Sequence, residues 1–160
     1  MATEHAQHSM KENHYRHLFI MGVLSFASMY VLMYAMVDTL ENVFSNLNQL
    51  YMAGLMTAPM IVIELFVMGS MYHNKRRNAL IISGAVVVWI ACFAFIRQQT
   101  GVSDRQFLRS MIPHHASAIL MCKQAPIRDP EITSLCRAII SSQQTEIDQM
   151  KAKLSVMKED

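Results

Sequence analysis

The chain has 160 residues, of which 52% are hydrophobic and 16% are charged, with a formal net charge of +2. Soluble domains carry about 25% charged residues, so this composition indicates a chain that is largely buried in lipid. The charge is too small and too scattered for a nucleic-acid-binding surface, and no basic stripe with interleaved aromatic residues occurs. A nucleic-acid partner is therefore excluded.

Three long apolar runs predict an all-α fold that opens with a three-helix transmembrane region. Each run approaches or exceeds the roughly 18 to 20 residues that cross a bilayer core. The segment before them, residues 1–17, is polar and is predicted to be a disordered tail, in which weak metal binding by the histidines stays open. The transmembrane region, residues 18–96, is predicted to contain helices at about 18–37, 50–72 and 79–96.

The basic residues of the short loops predict the orientation of these helices. The loop at residues 73–78 contains Lys75, Arg76 and Arg77 and is therefore predicted to be cytoplasmic. The loop from Asp38 to Gln49 contains neither lysine nor arginine, so it is predicted to lie outside. Three crossings then give a cytoplasmic amino terminus and place residues 101–160 outside the cytoplasm.

The three predicted membrane helices contain one acidic residue, Glu64, and two methionine ladders with a four-residue spacing. Residues four apart share a helix face, so each ladder forms a stripe of thioethers that suits Cu(I). Glu64 is either part of a cation path or a neutral, hydrogen-bonded residue that fixes helix packing, and the methionines are either a metal path or ordinary packing. The ladders contain Met21, Met29 and Met33 in the first helix, and Met52, Met56, Met60 and Met68 in the second.

Residues 101–160 are predicted to form a helical hairpin. Ser103 followed three residues later by Gln106 resembles a capping box, which opens a helix running to about Gln124. Asp129 and Pro130 provide an N-cap and an N1 proline for a second helix that extends to about Val156. Two such helices have too little core to bury an apolar face alone, so we expect pairing with another chain into a four-helix bundle. The expected face consists of Ile132, Leu135, Ile139, Ile147, Met150 and Leu154.

Soft-metal ligands are concentrated in this hairpin. At about 100° per residue, Met111, His115 and Cys122 fall on one face of the first helix, and His114 and Met121 share a neighbouring face. Pro113 is expected to kink or restart the helix just before the paired histidines. Thioether, imidazole and thiolate together favour Cu(I), with zinc as the second choice. The metal-ligand candidates are Met111, His114, His115, Met121, Cys122, Cys136 and Met150.

Two of these candidates have an alternative role. Cys122 and Cys136 flank the predicted hairpin turn at comparable distances. Outside the cytoplasm they either form a disulfide that joins the two helices or bind copper as thiolates. The methionines likewise have an alternative role as core fillers.

The hairpin resembles a known family on the residues Met111-Ile112-Pro113-His114-His115, an apolar helix, then Asp129-Pro130-Glu131-Ile132 and a later Gln143-x-x-Glu146-Ile147-x-x-Met150 segment. This pattern, over residues 103–154, is similar to the family known as domain of unknown function 305. The resemblance implies a ferritin-like helical bundle and, for some members, periplasmic copper binding through His and Met side chains. It therefore implies Met111, His114, His115, Met121 and Met150 as ligands, and a bacterial inner-membrane location. Many relatives carry two copies of the motif, whereas this chain carries one, which favours pairing between chains.

The predicted function is a membrane-anchored copper-binding protein that acts as a buffer, chaperone or sensor alongside other copper-handling proteins. The alternatives are a component of a Cu(I) or cation transport path, and a structural membrane protein without metal. A ferritin-like oxidase is disfavoured because di-iron bundles use Glu-x-x-His pairs, and none occurs in this segment. No catalytic activity is predicted.

The loop charges generate the first testable prediction, which concerns topology. Reporter fusions after Asp160 and within residues 73–78 are expected to report opposite compartments, with the 73–78 fusion in the cytoplasm, because basic loops are retained there. A cytoplasmic signal from the Asp160 fusion would contradict both the orientation and a periplasmic site.

Overall fold

The computed structural model describes residues 2–157, with side chains described from His14 onward. This part of the chain is all-helical, as predicted, and contains no strand. Its five α-helices are α1 (Ala2–Leu32), α2 (Leu47–Val67), α3 (Lys75–Gln98), α4 (Asp104–Gln124) and α5 (Pro130–Val156). Two short 3-10 helices, Met33–Met36 and Leu40–Asn42, lie between α1 and α2.

The first compact unit comprises the chain up to Leu32 together with Leu50–Thr100. It contains helices that are long and apolar enough to cross a membrane, at His14–Met36, Leu47–Val67 and Lys75–Gln98. The prediction of three such helices is confirmed, although their bounds shift by several residues. For α3 the shift has a local cause, because the Asn74 side chain accepts a hydrogen bond from the Arg77 backbone N–H and caps the helix within the expected loop.

The expected disordered tail is wrong for the backbone that the structure describes. Helix α1 begins at Ala2 and continues without a break into the first membrane-spanning segment. The segment contains no glycine or proline, and extending an existing helix gains one hydrogen bond for each residue that is fixed. The side chains of His5, His8 and Met10 lie outside the described residues, so the weak metal-binding hypothesis for them is untested.

The second compact unit contains the predicted hairpin together with Met33–Gln49. Both predicted helix starts are confirmed: Ser103 caps α4 by accepting from the Gln106 backbone N–H, and Asp129 caps α5. The capping box at Ser103 is only half formed. The Gln106 side chain instead accepts a hydrogen bond of 3.2 Å from the backbone N–H of Leu47, which ties the hairpin to the first residue of α2.

The core of this unit consists of fully buried isoleucines and an alanine from both helices. Ile112, Ala116 and Ile119 of α4 pack against Ile147 of α5, and Met150 and Leu154 border them. Val37 and Phe44, from the segment between α1 and α2, also pack against this core. The expectation that the apolar face lacks a partner within the chain is therefore wrong.

Polar contacts fix the same segment against α4. Arg109 Nη2 donates to Ser45 Oγ at 3.1 Å, and Lys123 Nζ lies 4.0 Å from the mostly buried Asp38 carboxylate. Residues 38–49, which the sequence assigned to a loop of the transmembrane region, are thus part of the hairpin unit. If α2 and α3 both cross a membrane, these two parts lie on the same side of it, as their packing requires.

The expected buried face of α5 is only half buried. Its carboxyl-terminal half contributes Ile147, Met150 and Leu154 to the core, whereas Ile132 and Leu135 near the hairpin turn are 50% and 59% exposed. Val37 and Phe44 pack against the buried cluster of both helices, to which neither Ile132 nor Leu135 belongs.

The core generates a stability prediction. Replacing Ile147 with alanine should lower the free energy of unfolding by about 2–5 kcal/mol, because the side chain is fully buried and its loss leaves a cavity. Ile132→Ala removes the same atoms from an exposed position and should have a much smaller effect. Denaturant titration of the chain in mild detergent, followed by circular dichroism, compares the two variants, and equal losses would contradict this core.

Candidate metal site

The paired histidines lie in the middle of α4, one turn after Met111. The helix continues through Pro113 from Asp104 to Gln124, so the expected restart of the helix at the proline is wrong. Pro113 is itself buried. Because Met111 and His115 are four residues apart, they share one face of this continuous helix.

His115 is buried and faces a carboxylate on α5. Its side chain is 10% exposed, and Nδ1 lies 3.1 Å from Oε2 of Glu146. The two groups are not aligned for a hydrogen bond, which leaves Nδ1 a buried polar atom without a hydrogen-bond partner among the described residues. The other carboxylate oxygen, Oε1, accepts a hydrogen bond of 2.8 Å from Ser142 Oγ. Ser142 thus orients Glu146 toward the histidine.

The burial of His115 controls its charge. Burial lowers the pKa of this imidazole below its ordinary value of 6.5, against the opposing effect of the Glu146 carboxylate, which raises the pKa. The neighbouring His114 lowers the pKa further. At neutral pH the imidazole is therefore uncharged, the form that binds metal ions. A carboxylate beside Nδ1 favours the tautomer with its proton on Nδ1, which leaves the Nε2 lone pair available.

His114 differs from its neighbour in exposure. Its side chain is exposed, and the two ring centroids are 6.1 Å apart with the planes inclined at 59°. Adjacent residues on a helix project about 100° apart. One imidazole of the pair therefore lies in the hairpin interior and the other lies at its surface.

The thioether candidates have three different environments. Met150 packs against the buried core, and Met111 is half-buried. Met121 is 52% exposed and lies near the hairpin turn. Met111 shares the face of His115 on α4, and Met150 follows Glu146 by four residues on α5, so the two methionines border the His115 and Glu146 pair along their helices.

Cys122 and Cys136 are joined in a disulfide across the hairpin turn, with their Cα atoms 5.3 Å apart. The sequence left open whether these cysteines form a disulfide or bind copper as thiolates, and in the structure they form the disulfide. The inclusion of both cysteines among the metal ligands is therefore wrong for this oxidised form, because neither sulfur is a thiolate. Closing a loop with a sequence separation of 14 stabilises a fold by about 3 kcal/mol.

Among the residues with described side chains, no three His, Cys, Asp or Glu residues are grouped as metal ligands would be. One hairpin thus brings together one buried imidazole and one carboxylate, with Met111 and Met150 each four residues from one of them along its helix. Sequence reasoning left the role of Glu146 uncertain and missed Ser142. The four-residue spacing of Ser142 and Glu146 was a signal that the two side chains share a face.

The contact between Glu146 and His115 generates a prediction for the imidazole. Glu146→Gln should lower the pKa of His115 further, because the variant removes the charge that opposes the effect of burial. Histidine-selective NMR titration of the full chain in detergent measures this pKa. Ser142→Ala is the control, since it keeps the carboxylate and should change the pKa less. An unchanged or higher pKa in Glu146→Gln would show that the carboxylate does not face the ring.

Comparisons with known proteins agree with the motif in α4 and α5. A family model described as "Domain of unknown function (DUF305)" matches residues 93–154. An uncharacterized protein of Acanthamoeba polyphaga mimivirus is 35% identical over 144 residues, which cover 88% of this chain and 93% of that protein. The similarity therefore extends through the membrane-spanning region, and no solved structure matches the chain. On this similarity, the chain belongs to the DUF305 family, with its family domain joined to three helices that are long and apolar enough to span a membrane.

Proposed function

We propose that this protein is a membrane-anchored copper-binding protein, in which the α4–α5 hairpin binds Cu(I) for buffering, delivery or sensing. The observation that carries the proposal is the environment of His115. A carboxylate oxygen 3.1 Å from Nδ1 of a buried, uncharged imidazole resembles the pairing that orients metal-binding histidines, in which one ring nitrogen faces a carboxylate and the other binds the metal. Glu146 would set the tautomer, and the imidazole would supply a lone pair.

The kinds of ligand near His115 favour Cu(I) over zinc. Structural zinc sites use four Cys, His or carboxylate ligands, and the described part of one chain does not group three of them. Thioethers bind Cu(I) well, and Met111 and Met150 border the His115 and Glu146 pair. We therefore propose His114, His115, Met111, Met121 and Met150 as the ligand set, with copper as cargo and zinc as the second choice.

Pairing with a second copy would complete this set. The surface near the hairpin turn exposes Met121, Ile132 and Leu135, each at least half exposed, and His114 is exposed on α4. Joining two such surfaces would bury apolar area and bring exposed ligands from both chains together. We propose a homo-oligomer built around a ferritin-like four-helix bundle, held at the bilayer and exchanging copper with other copper-handling proteins.

The disulfide supports a location of the hairpin outside the cytoplasm, because such bonds persist in oxidising compartments. We propose a bacterial inner-membrane protein with a cytoplasmic amino terminus and a periplasmic hairpin. We propose no catalytic role. A transport path receives less support, because Met52, Met56 and Met68 are each at least 36% exposed and so do not line the interior of one chain.

The copper site is tested with a double histidine variant. Replacing His114 and His115 with alanine should abolish tight Cu(I) binding with little change in helical content, because both imidazoles are lost from a continuous helix. Competition with a colorimetric Cu(I) chelator, on protein in mild detergent, measures the affinity. Copper near one equivalent per chain or per pair of chains is expected for the wild type.

Two controls accompany this variant. His17 and His73 are exposed, so replacing that pair with alanine should leave the affinity unchanged, and replacing Met52 and Met56 should do the same. Protons compete for imidazole, and the pKa of His115 lies below 6.5, so its contribution to binding should be lost only as the pH falls below that value. Wild-type affinity in the double histidine variant would move the site to the membrane methionines or the amino-terminal segment.

A further inference from the structure

A second site in the hairpin unit lies where α4 begins and α5 ends. A cavity of about 380 Å³ opens there and is lined by Phe44, Arg105, Arg109, Lys151, Leu154 and Ser155. Among the described residues, its lining has three basic side chains and no acidic one. We propose that this cavity, named here the basic pocket, binds a phosphate group.

The antiparallel hairpin places the three basic residues together. Arg105 and Arg109 lie one turn apart in the first half of α4, and Lys151 lies near the end of α5. Like charges brought together repel each other, and the repulsion is relieved when an anion binds between them. A cavity that collects three cations is therefore suited to an anionic ligand.

Helix capping accounts for only part of this arrangement. Arg105 Nη1 donates to the Met157 carbonyl at 3.1 Å, at the C-cap of α5. Arg109 Nη2 is bound to Ser45 Oγ. Its Nε is buried and has no hydrogen-bond partner among the described residues. A buried, charged donor of this kind is costly to leave unpaired, and the side chain that carries it lines the cavity.

Within the described part of the chain, Arg109 and Lys151 form no ion pair with an acidic side chain. The ion pairs there join His115 to Glu146 and Lys123 to Asp38, and neither involves Arg109 or Lys151. The nearby Asp148 carboxylate accepts from Gln144 on its own helix. Lys151 and Arg109 therefore keep their charge available for a bound anion.

Phosphate is the anion that this chemistry favours. A guanidinium group presents paired N–H donors that match phosphate oxygens, and an ammonium group adds a point charge. The apolar walls, Phe44 and Leu154, reduce the competition from water. Two sources offer the group, a phospholipid headgroup and free phosphate. Arg105 follows the end of α3 by seven residues, so the chain itself keeps it within about 25 Å of that end, near the headgroups of a membrane that α3 spans.

The experiment measures both sources on the full chain in a phosphate-free detergent. Isothermal titration calorimetry with inorganic phosphate tests the free ion, and native mass spectrometry with added phosphatidylglycerol tests the headgroup. Binding of the lipid alone identifies a headgroup site, and binding of inorganic phosphate identifies a site for the phosphate group itself. Either result supports the proposal, and binding of neither overturns it.

Matched variants assign the binding to the pocket. Arg109→Gln and Lys151→Gln should each weaken the observed binding by about tenfold, because each removes a charged contact to phosphate. Arg137→Gln and Lys153→Gln remove the same charges from exposed positions of α5 and should leave the affinity unchanged. Wild-type affinity in both pocket variants would overturn the proposal.

Circular dichroism checks that each variant keeps the helical content of the wild type. Arg109→Gln loses the bond to Ser45, whereas Lys151 makes no hydrogen bond or ion pair with another described residue, so Lys151→Gln tests the pocket without disturbing the fold. Glu159→Gln with Asp160→Asn should bind phosphate at least as tightly as the wild type, because it removes negative charge close in sequence to α5. Weaker binding in that variant would contradict recognition by the basic residues alone.

Discussion

The packing of α4 against α5 is the interaction on which the hairpin unit depends. Ile112, Ile119 and Ile147 are fully buried at this contact, and their interdigitation fixes the register of the two antiparallel helices. His115 lies between Ile112 and Ile119 in sequence, and Glu146 directly precedes Ile147. The same register that closes the apolar core therefore sets the imidazole opposite the carboxylate.

Local sequence signals predicted most of the hairpin, because they report interactions within a few residues. The first turn of each helix is stabilised by residues next to it in sequence, Ser103 for α4 and Asp129 with Pro130 for α5. Both helices begin where these residues predicted. The role of the segment from Val37 to Phe44 was missed because it is short, has no helical periodicity, and contacts residues far along the chain. Glu146 was left uncertain for a related reason: its contact with His115 depends on the register between two helices, which the pattern of either helix alone does not contain.

The hairpin separates three kinds of chemistry along its length. Rising about 1.5 Å per residue, α4 places Arg105 roughly 15 Å from His115, and His115 roughly 9 Å from Met121. Three sites thus follow one another along the helix: the basic pocket, the imidazole with its carboxylate, and the exposed apolar surface near the turn. An anion held by Arg109 and Lys151 and a copper ion bound through His115 would each have a site of their own, and the long helix keeps opposite charges apart.

The segment between α1 and α2 constrains how this unit and the membrane helices can be made. Val37 and Phe44 complete a core whose other members follow α3, so that core cannot close before α2 and α3 have been synthesised. Successive membrane-spanning helices run in alternating directions, so residues 33–49 and the hairpin lie on one side of a membrane only if α2 and α3 both cross it or neither does. A chain that skipped one crossing would leave Ile112, Ile119 and Ile147 without their partners and would leave Val37 and Phe44 exposed. The pairing of His115 with Glu146 thus depends on the placement of residues 33–49, because the register that places the imidazole beside the carboxylate depends on that core.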